Sequence, residues 1–456
     1  MRTHHGATKE GETQRDDDTR PSPAPLPLDW ETQAVVGRRE RFLAPSLRTF
    51  AAYDEPIVWR RGSGQYLWDN QGRRYLDCMA QNVCVSVGHA HPGVLAAVRE
   101  QMDELPHVTT AYHHPQPGHF AEELIQTLPE GRDWVVHFVN SGSEAIDLAV
   151  LVARAFTRNF EVLTLRDAYH GMHFGAMTAT GLSEARQPVP PAPGFVQVMA
   201  PHPYRGPLGA DAAPYLEELR RTLGTNTSGA VAGLLVEPIQ GYGGIVEMPQ
   251  GWLRGAAEQV RAAGGLLIVD EVQTGMARTG SHFWGFAAHD VVPDVIVTSK
   301  GLGNGFPIAA MITRREVAEA MAQRMFFNTY GANPTCCAAG RAVLRAIAEE
   351  GLQRNALEVG GRIRDGLERL QARHEVIGDV RGRGLLLGAD LVRDRQSREA
   401  DTAKAERVQT ALLERGVVVG LCGREHNVLK INPPLCVTEE DADFLVDALD
   451  VALTER

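Results

Sequence analysis

The sequence predicts an α/β fold built on a mainly parallel sheet, and three observations carry that expectation. Short, nearly unbroken apolar runs alternate with longer segments of helical period. Each run ends in a cluster of polar residues and glycine. The 456 residues, 43% hydrophobic and 23% charged, supply enough apolar chain for a large core. Strands that are apolar on both faces belong in a sheet covered by helices on both sides. At roughly 150 residues per domain, two or three domains are expected.

Composition narrows the function classes. Lys and Arg number 46 against 57 Asp and Glu, a net charge of −11. No basic tract is long enough to follow a phosphate backbone, so nucleic acid is not an expected partner. The cysteines at 78, 84, 336, 337, 422 and 436 form no CxxC pair, which fits reduced thiols and a cytoplasmic location. No apolar stretch approaches the ~18 residues of a membrane helix, and no membrane association is expected. Residues 1–28 lack the apolar core of a signal peptide and carry Glu and Asp, unlike a mitochondrial transit peptide. They are expected to form a flexible leader.

Residues 29–90 are expected to be an N-terminal segment contributing to a small domain, because 57–77 alternates short Val-, Trp- and Tyr-rich runs with glycine turns. Residues 91–335 read as the large domain, with apolar runs at 135–139, 162–165, 232–236, 266–269 and 295–297. The segment 252–263 places its apolar residues on one helical face, and Gly264-Gly265 ends it. Residues 336–456 read as a smaller α+β domain, with helices at 336–349 and 355–374, β-like runs at 385–391, 417–420 and 428–431, and a last helix from Glu439.

Ligands of open α/β sheets bind beyond the carboxyl ends of the strands. The first run ends in Asn140-Ser141-Gly142-Ser143-Glu144 and enters a helix directly. That arrangement suits a phosphate, although plain N-capping reads the same way. The second ends in Tyr169-His170-Gly171; His170 and His173 lack the carboxylate or third histidine that a metal would need, so no metal is expected. The third ends in Glu237-Pro238-Ile239-Gln240-Gly241, and the fourth in Asp270-Glu271-Val272-Gln273. A carboxylate at a buried strand end wants a cation or a proton donor. The fifth ends in Ser299-Lys300-Gly301, where a lysine either snorkels to solvent or serves as an amine nucleophile. A phosphate cradle, an aromatic ring, a lone carboxylate and a lysine match a pyridine cofactor with a phosphate tail, a π-face, a ring nitrogen and an aldehyde.

The ordered series NSGSEA, AYHG, VEPIQG, DEVQTG, SKGLGNG and TYGANP resembles the class III, fold-type I aminotransferases that use pyridoxal 5'-phosphate. The resemblance runs from about residue 40 to the C-terminus. It implies a large domain with a mostly parallel seven-stranded sheet and a smaller α+β domain. By it, Lys300 forms the internal Schiff base and shuttles the substrate proton, and Asp270 holds the ring-nitrogen proton. Ser141, Gly142 and Ser143 bind the phosphate and Tyr169 stacks on the ring. His170 and Glu237 lie against the cofactor, and Gln273 lies near its phenolate oxygen. Thr329 reaches the phosphate of a neighbouring subunit, which implies a homodimer with composite sites.

The resemblance also bears on substrate. The stretches 85–94, 205–209 and 280–294 are similar to the alanine–glyoxylate type and its bacterial relatives. These move an amino group from alanine, a β-amino acid or another ω-amino donor to a 2-oxo acid such as pyruvate or glyoxylate. The stretch 427–435 instead resembles phospholyases that eliminate phosphate from ethanolamine phosphate or phosphohydroxylysine. Lys430 stands where many members have a carboxylate-gripping Arg, which marks it as the substrate-binding residue and removes the bidentate fork. Tyr242 replaces the acidic residue of ornithine and 4-aminobutyrate transaminases. Ile146 and Ala332 depart from the family pattern as packing changes. Cys336 and Cys337 are expected in the core, and Arg381 and Arg383 as solvated charge.

Overall fold

The computed structural model describes residues 26–48 and 53–455. The expected leader therefore lies outside the described residues over 1–25. The chain divides into two units, residues 1–50 and 51–456. In the first, helix Thr32–Phe42 starts where Glu31 accepts the Ala34 N–H at 2.8 Å, and it buries none of its residues. Ala34, Val35 and Val36 are half-buried and Phe42 is exposed.

The second unit is organised around a seven-stranded sheet. Across it run Trp134–Val139, Ala309–Arg314, Val295–Thr298, Leu266–Asp270, Gly233–Val236, Val162–Leu165 and Phe195–Val198. Ala309–Arg314 is antiparallel to both neighbours, and the other pairings are parallel. Six strands therefore point the same way, and five of the polar clusters come out on one edge. The four strands from Val295–Thr298 to Val162–Leu165 are buried at every position, as a sheet packed on both faces requires. Helix Gly142–Thr157 covers one face with Ile146, Leu148, Ala149 and Val152. Helix Trp252–Ala262 covers the other with Trp252, Leu253, Ala256 and Val260, and Gly264 at φ 79° ends it.

Two of the seven strands have no clear sequence signal. Phe195–Val198 is a half-buried edge strand that follows a proline-rich stretch, and Ala309–Arg314 opens with two alanines, which read as helix. Ile146 and Cys337 are fully buried and Cys336 nearly so, as expected of packing residues.

Helices Pro334–Glu349 and Leu352–Arg373 lead to an antiparallel sheet of Ile377–Arg383, Leu386–Asp394, Val428–Ile431 and Gly420–Cys422. Val417–Val418 pairs in parallel with Arg74–Asp77, so the N-terminal sheet takes its last strand from near the C-terminus. Arg381 departs from the expectation of solvated charge. It is buried, donating to Gly244 O at 2.8 Å and pairing with Asp379 at 2.8 Å and Asp390 at 3.0 Å. Asp390 is fully buried and also bonds Arg205 and Asn427, so the charge is neutralised inside the fold.

Candidate active site

The strand-end clusters meet around a cavity of about 150 Å³ lined by Gly142, Ser143, Tyr169, His170, Glu237, Asp270, Gln273 and Lys300, among others. A larger groove of about 480 Å³, between helices Pro92–Glu104 and Pro334–Glu349, contains none of these residues.

At the first strand end, Ser141 Oγ accepts the Glu144 N–H at 3.3 Å and caps helix Gly142–Thr157. The N–H groups of Gly142 and Ser143 find no acceptor among the described residues and are free at the positive end of the helix. Gly171, at φ 128°, faces them so closely that a Cβ there would lie 2.2 Å from Ser143 Oγ. Only glycine lets this backbone turn against the cradle. Ser143 Oγ accepts from Met172 N at 3.0 Å.

Asp270 ends its strand 5% exposed. Its Oδ1 accepts the Val272 N–H at 3.0 Å, and His170 Nδ1 lies 2.8 Å from Oδ2. Nδ1 therefore carries a hydrogen toward the carboxylate, while Nε2 is buried without a partner among the described residues. Glu237 accepts Tyr169 N at 3.0 Å and Gly241 N at 2.9 Å. Burial raises its carboxyl above the usual range, with His170 opposing and Asp270 adding to the effect. Glu271 points away from the cavity and accepts Thr274 Oγ1 at 2.6 Å, Gly285 N at 2.9 Å and Phe286 N at 2.7 Å. Burial pushes it up to about 7 despite those bonds.

Lys300 follows strand Val295–Thr298 at φ 43°, a left-handed conformation that a side-chain-bearing residue adopts at a cost. Burial lowers its ammonium pKa, against the pull of Cys84, Asp270 and Glu237. The direction of that shift favours the neutral amine more than solvent does.

Lys430 is 2% exposed and donates to Gln273 Oε1 at 2.7 Å and to Asn82 Oδ1 at 3.2 Å. Burial and the nearby Lys300 charge lower it to about 8. Thr329 does not line the cavity. It is exposed, beside an Asn328 whose Oδ1 accepts from Asn140 Nδ2 at 2.9 Å and Gly331 N at 3.0 Å. Ala332 has φ 60°, so the family's glycine there answers to the backbone rather than to packing. The resemblance also puts the loop 79–86 on the substrate side, and within it the signal of Asn82 itself is faint: asparagine tolerates left-handed backbone, and Asn82 has φ 62°.

These residues fit pyridoxal phosphate. The free N–H pair at a helix start suits a phosphate, and Gly171 leaves room there. Tyr169 offers a ring face, its own ring 5.4 Å from that of Tyr242. Asp270 offers a carboxylate that would hold a ring-nitrogen proton, and Lys300 an amine that would take up an aldehyde. The cofactor, when bound, supplies an aldehyde that takes up amines and a protonated ring that withdraws electrons.

The chain belongs to the class-III aminotransferase family, which matches residues 49–453. It is a pyridoxal phosphate-dependent transaminase of fold type I. Among its relatives, the mitochondrial alanine–glyoxylate aminotransferase 2 homolog 2 of Arabidopsis thaliana is 43% identical over 421 residues, 92% of this chain and 87% of that one. The mitochondrial alanine–glyoxylate aminotransferase 2 of Homo sapiens is 38% identical, covering 92% and 86%. The solved structure of a phospholyase from Arthrobacter with phosphoethanolamine has a TM-score of 0.85 at 35% identity, over 92% of this chain and 100% of that one. A PLP-bound amine transaminase from an uncultivated Pseudomonas species has a TM-score of 0.83 at 31% identity, over 90% and 96%. The expected cytoplasmic location is withdrawn, because the Arabidopsis and human relatives are mitochondrial proteins. Reduced cysteines do not distinguish the two compartments.

Proposed function

We propose that the protein moves an amino group from a carboxylate-bearing donor, alanine or a β-amino acid, to a 2-oxo acid such as pyruvate or glyoxylate. The observation that carries this is Lys430, a buried ammonium bonded to the cavity residue Gln273 and forming no ion pair among the described residues. An unpaired buried cation is costly, and a substrate anion relieves it. Names of the relatives support the same donor and acceptor.

In this account Lys300 bonds the cofactor and moves the proton at the substrate carbon. Asp270, oriented by His170, keeps the ring nitrogen protonated. The Gly142 and Ser143 N–H groups hold the phosphate, with Ser141 fixing the helix end that presents them. Tyr169 covers the ring, Glu237 fixes the backbone of Tyr169 and Gly241, and Gln273 lies at the phenolate side. Thr329 reaches a second copy's phosphate in a homodimer. That assembly is supported by its exposure beside Met325, Phe327 and Tyr330, which expose 95%, 51% and 63% of their surface. Sedimentation of the holoenzyme as a dimer checks this part.

A second reading, phosphate elimination from an amino-alcohol phosphate, is favoured by Lys430 in place of an arginine and by the Arthrobacter relative. Incubation of the holoenzyme with L-alanine separates the two. Pyruvate release with loss of the lysine-bound cofactor's visible absorbance supports transfer. Release of phosphate and aldehyde from phosphoethanolamine, with no pyruvate from alanine, overturns it.

A further inference from the structure

Four consecutive side-chain-bearing residues, Ala80, Gln81, Asn82 and Val83, have φ of 45°, 48°, 62° and 68°. A left-handed run of L-residues persists only where its surroundings over-determine it, and such strain clusters at ligand clamps. The restraints are visible on both sides of the turn. Asp77 Oδ1 accepts from Met79 N at 3.0 Å, and Asn432 Nδ2 donates to Met79 O at 2.7 Å. Lys430 Nζ holds Asn82 Oδ1 at 3.2 Å. Just beyond the turn, Ser86 Oγ donates to Gly301 O at 2.7 Å, which ties the segment to the residue after Lys300.

The hydrogen-bond inventory is incomplete at one point. An ammonium has three hydrogens and no lone pair, and Lys430 uses two of them, on Asn82 and Gln273. Because Lys430 can only donate, Asn82 must turn Oδ1 toward it. The Nδ2 group then carries hydrogens that no described residue accepts. An ammonium hydrogen and a primary amide thus stand side by side with no carboxylate bonded to either among the described residues, next to the turn that carries Lys300.

We propose that Asn82 is a specificity-determining residue for the amino donor, its Nδ2 hydrogens joining the Lys430 ammonium to bind the substrate's anionic group, a carboxylate or a phosphate. This rests on the reading of Lys430 given above and adds a second donor from the strained turn. The turn's strain keeps the amide at the ammonium instead of letting it swing into solvent.

Asn82→Asp and Asn82→Gly both retain a residue that accepts left-handed backbone. In Asn82→Asp the new carboxylate neutralises Lys430 from within. Wild-type and variant holoenzymes are titrated with sodium acetate and with inorganic phosphate, following the visible cofactor absorbance and the heat of binding. The anion that binds the wild type more tightly identifies the substrate group. Asn82→Asp is expected to weaken that anion at least tenfold with little change in Tm. Its KM for L-alanine is expected to rise at least tenfold more than its KM for the uncharged donor 1-phenylethylamine. Affinity within twofold of wild type, or equal losses for charged and uncharged donors, overturns the proposal. If Asn82→Asp does not fold, Asn82→Gly is held to the same anion titration. Anion binding that depends on Asn82 in an enzyme that turns over no amino donor supports the subsite and overturns the transaminase substrate reading instead.

Discussion

Replacing His170 by phenylalanine tests how Asp270, the carboxylate proposed to hold the ring-nitrogen proton, is oriented. The imidazole is fully buried and its Nδ1 lies 2.8 Å from Asp270 Oδ2. Phenylalanine roughly keeps the volume and removes the donor. Oδ1 keeps its bond from Val272 N at 3.0 Å, so one of the two oxygens loses its partner inside the fold. A hydrogen bond to a charged group contributes about 1.5–3 kcal/mol. That converts to a loss of roughly ten- to hundredfold in affinity for a cofactor whose protonated ring needs that carboxylate in place. Apoenzyme is titrated with pyridoxal phosphate by absorbance, with a thermal melt of each apo form to measure folding separately. A weakened Kd with similar apo melts supports the orienting role. A Kd within twofold of wild type refutes it and leaves His170 as packing.

Three further outcomes follow from the same geometry. Glu271 is raised to about 7 from an ordinary 4.5, so the fold favours its protonated form. Its contribution is full below pH 4.5 and is lost as pH rises through 7. Chemical unfolding of wild type is expected to lose roughly 3 kcal/mol over that range relative to Glu271→Gln, which cannot titrate. Lys430 titrates near 8, so the KM for an anionic donor is expected to rise about tenfold between pH 7 and 9, and Lys430→Met to flatten that profile from a higher baseline. Ala332 occupies φ 60°, so Ala332→Gly is expected to stabilise the protein by about 1 kcal/mol, read as a raised Tm.

Much of the fold and the cavity was legible because both depend on patterns that sequence displays. Strands buried on both faces must be apolar throughout, and Leu266–Asp270 announces itself by that alone. The polar group that ends each such strand then stands out by contrast, as Asp270 and Lys300 do. What stayed hidden depends on contacts between distant segments. Arg381 reads as a surface charge until Asp390 and Gly244 are brought against it. The left-handed turn at Asn82 has no glycine to mark it, since its restraints come from Asp77, Lys430 and Asn432. The part proposed for Thr329 involves a second copy, which a single chain does not display. The strand Ala309–Arg314 was obscured by alanines, whose intrinsic preference tertiary packing overrides.

The central claim is that Lys300, rather than the other buried amine of the site, bonds the cofactor. Borohydride reduction of the holoenzyme fixes the linkage, and mass mapping of its peptides locates it. The account predicts one pyridoxyl group per chain, on Lys300. A pyridoxyl group on Lys430, or none on either lysine, would contradict it.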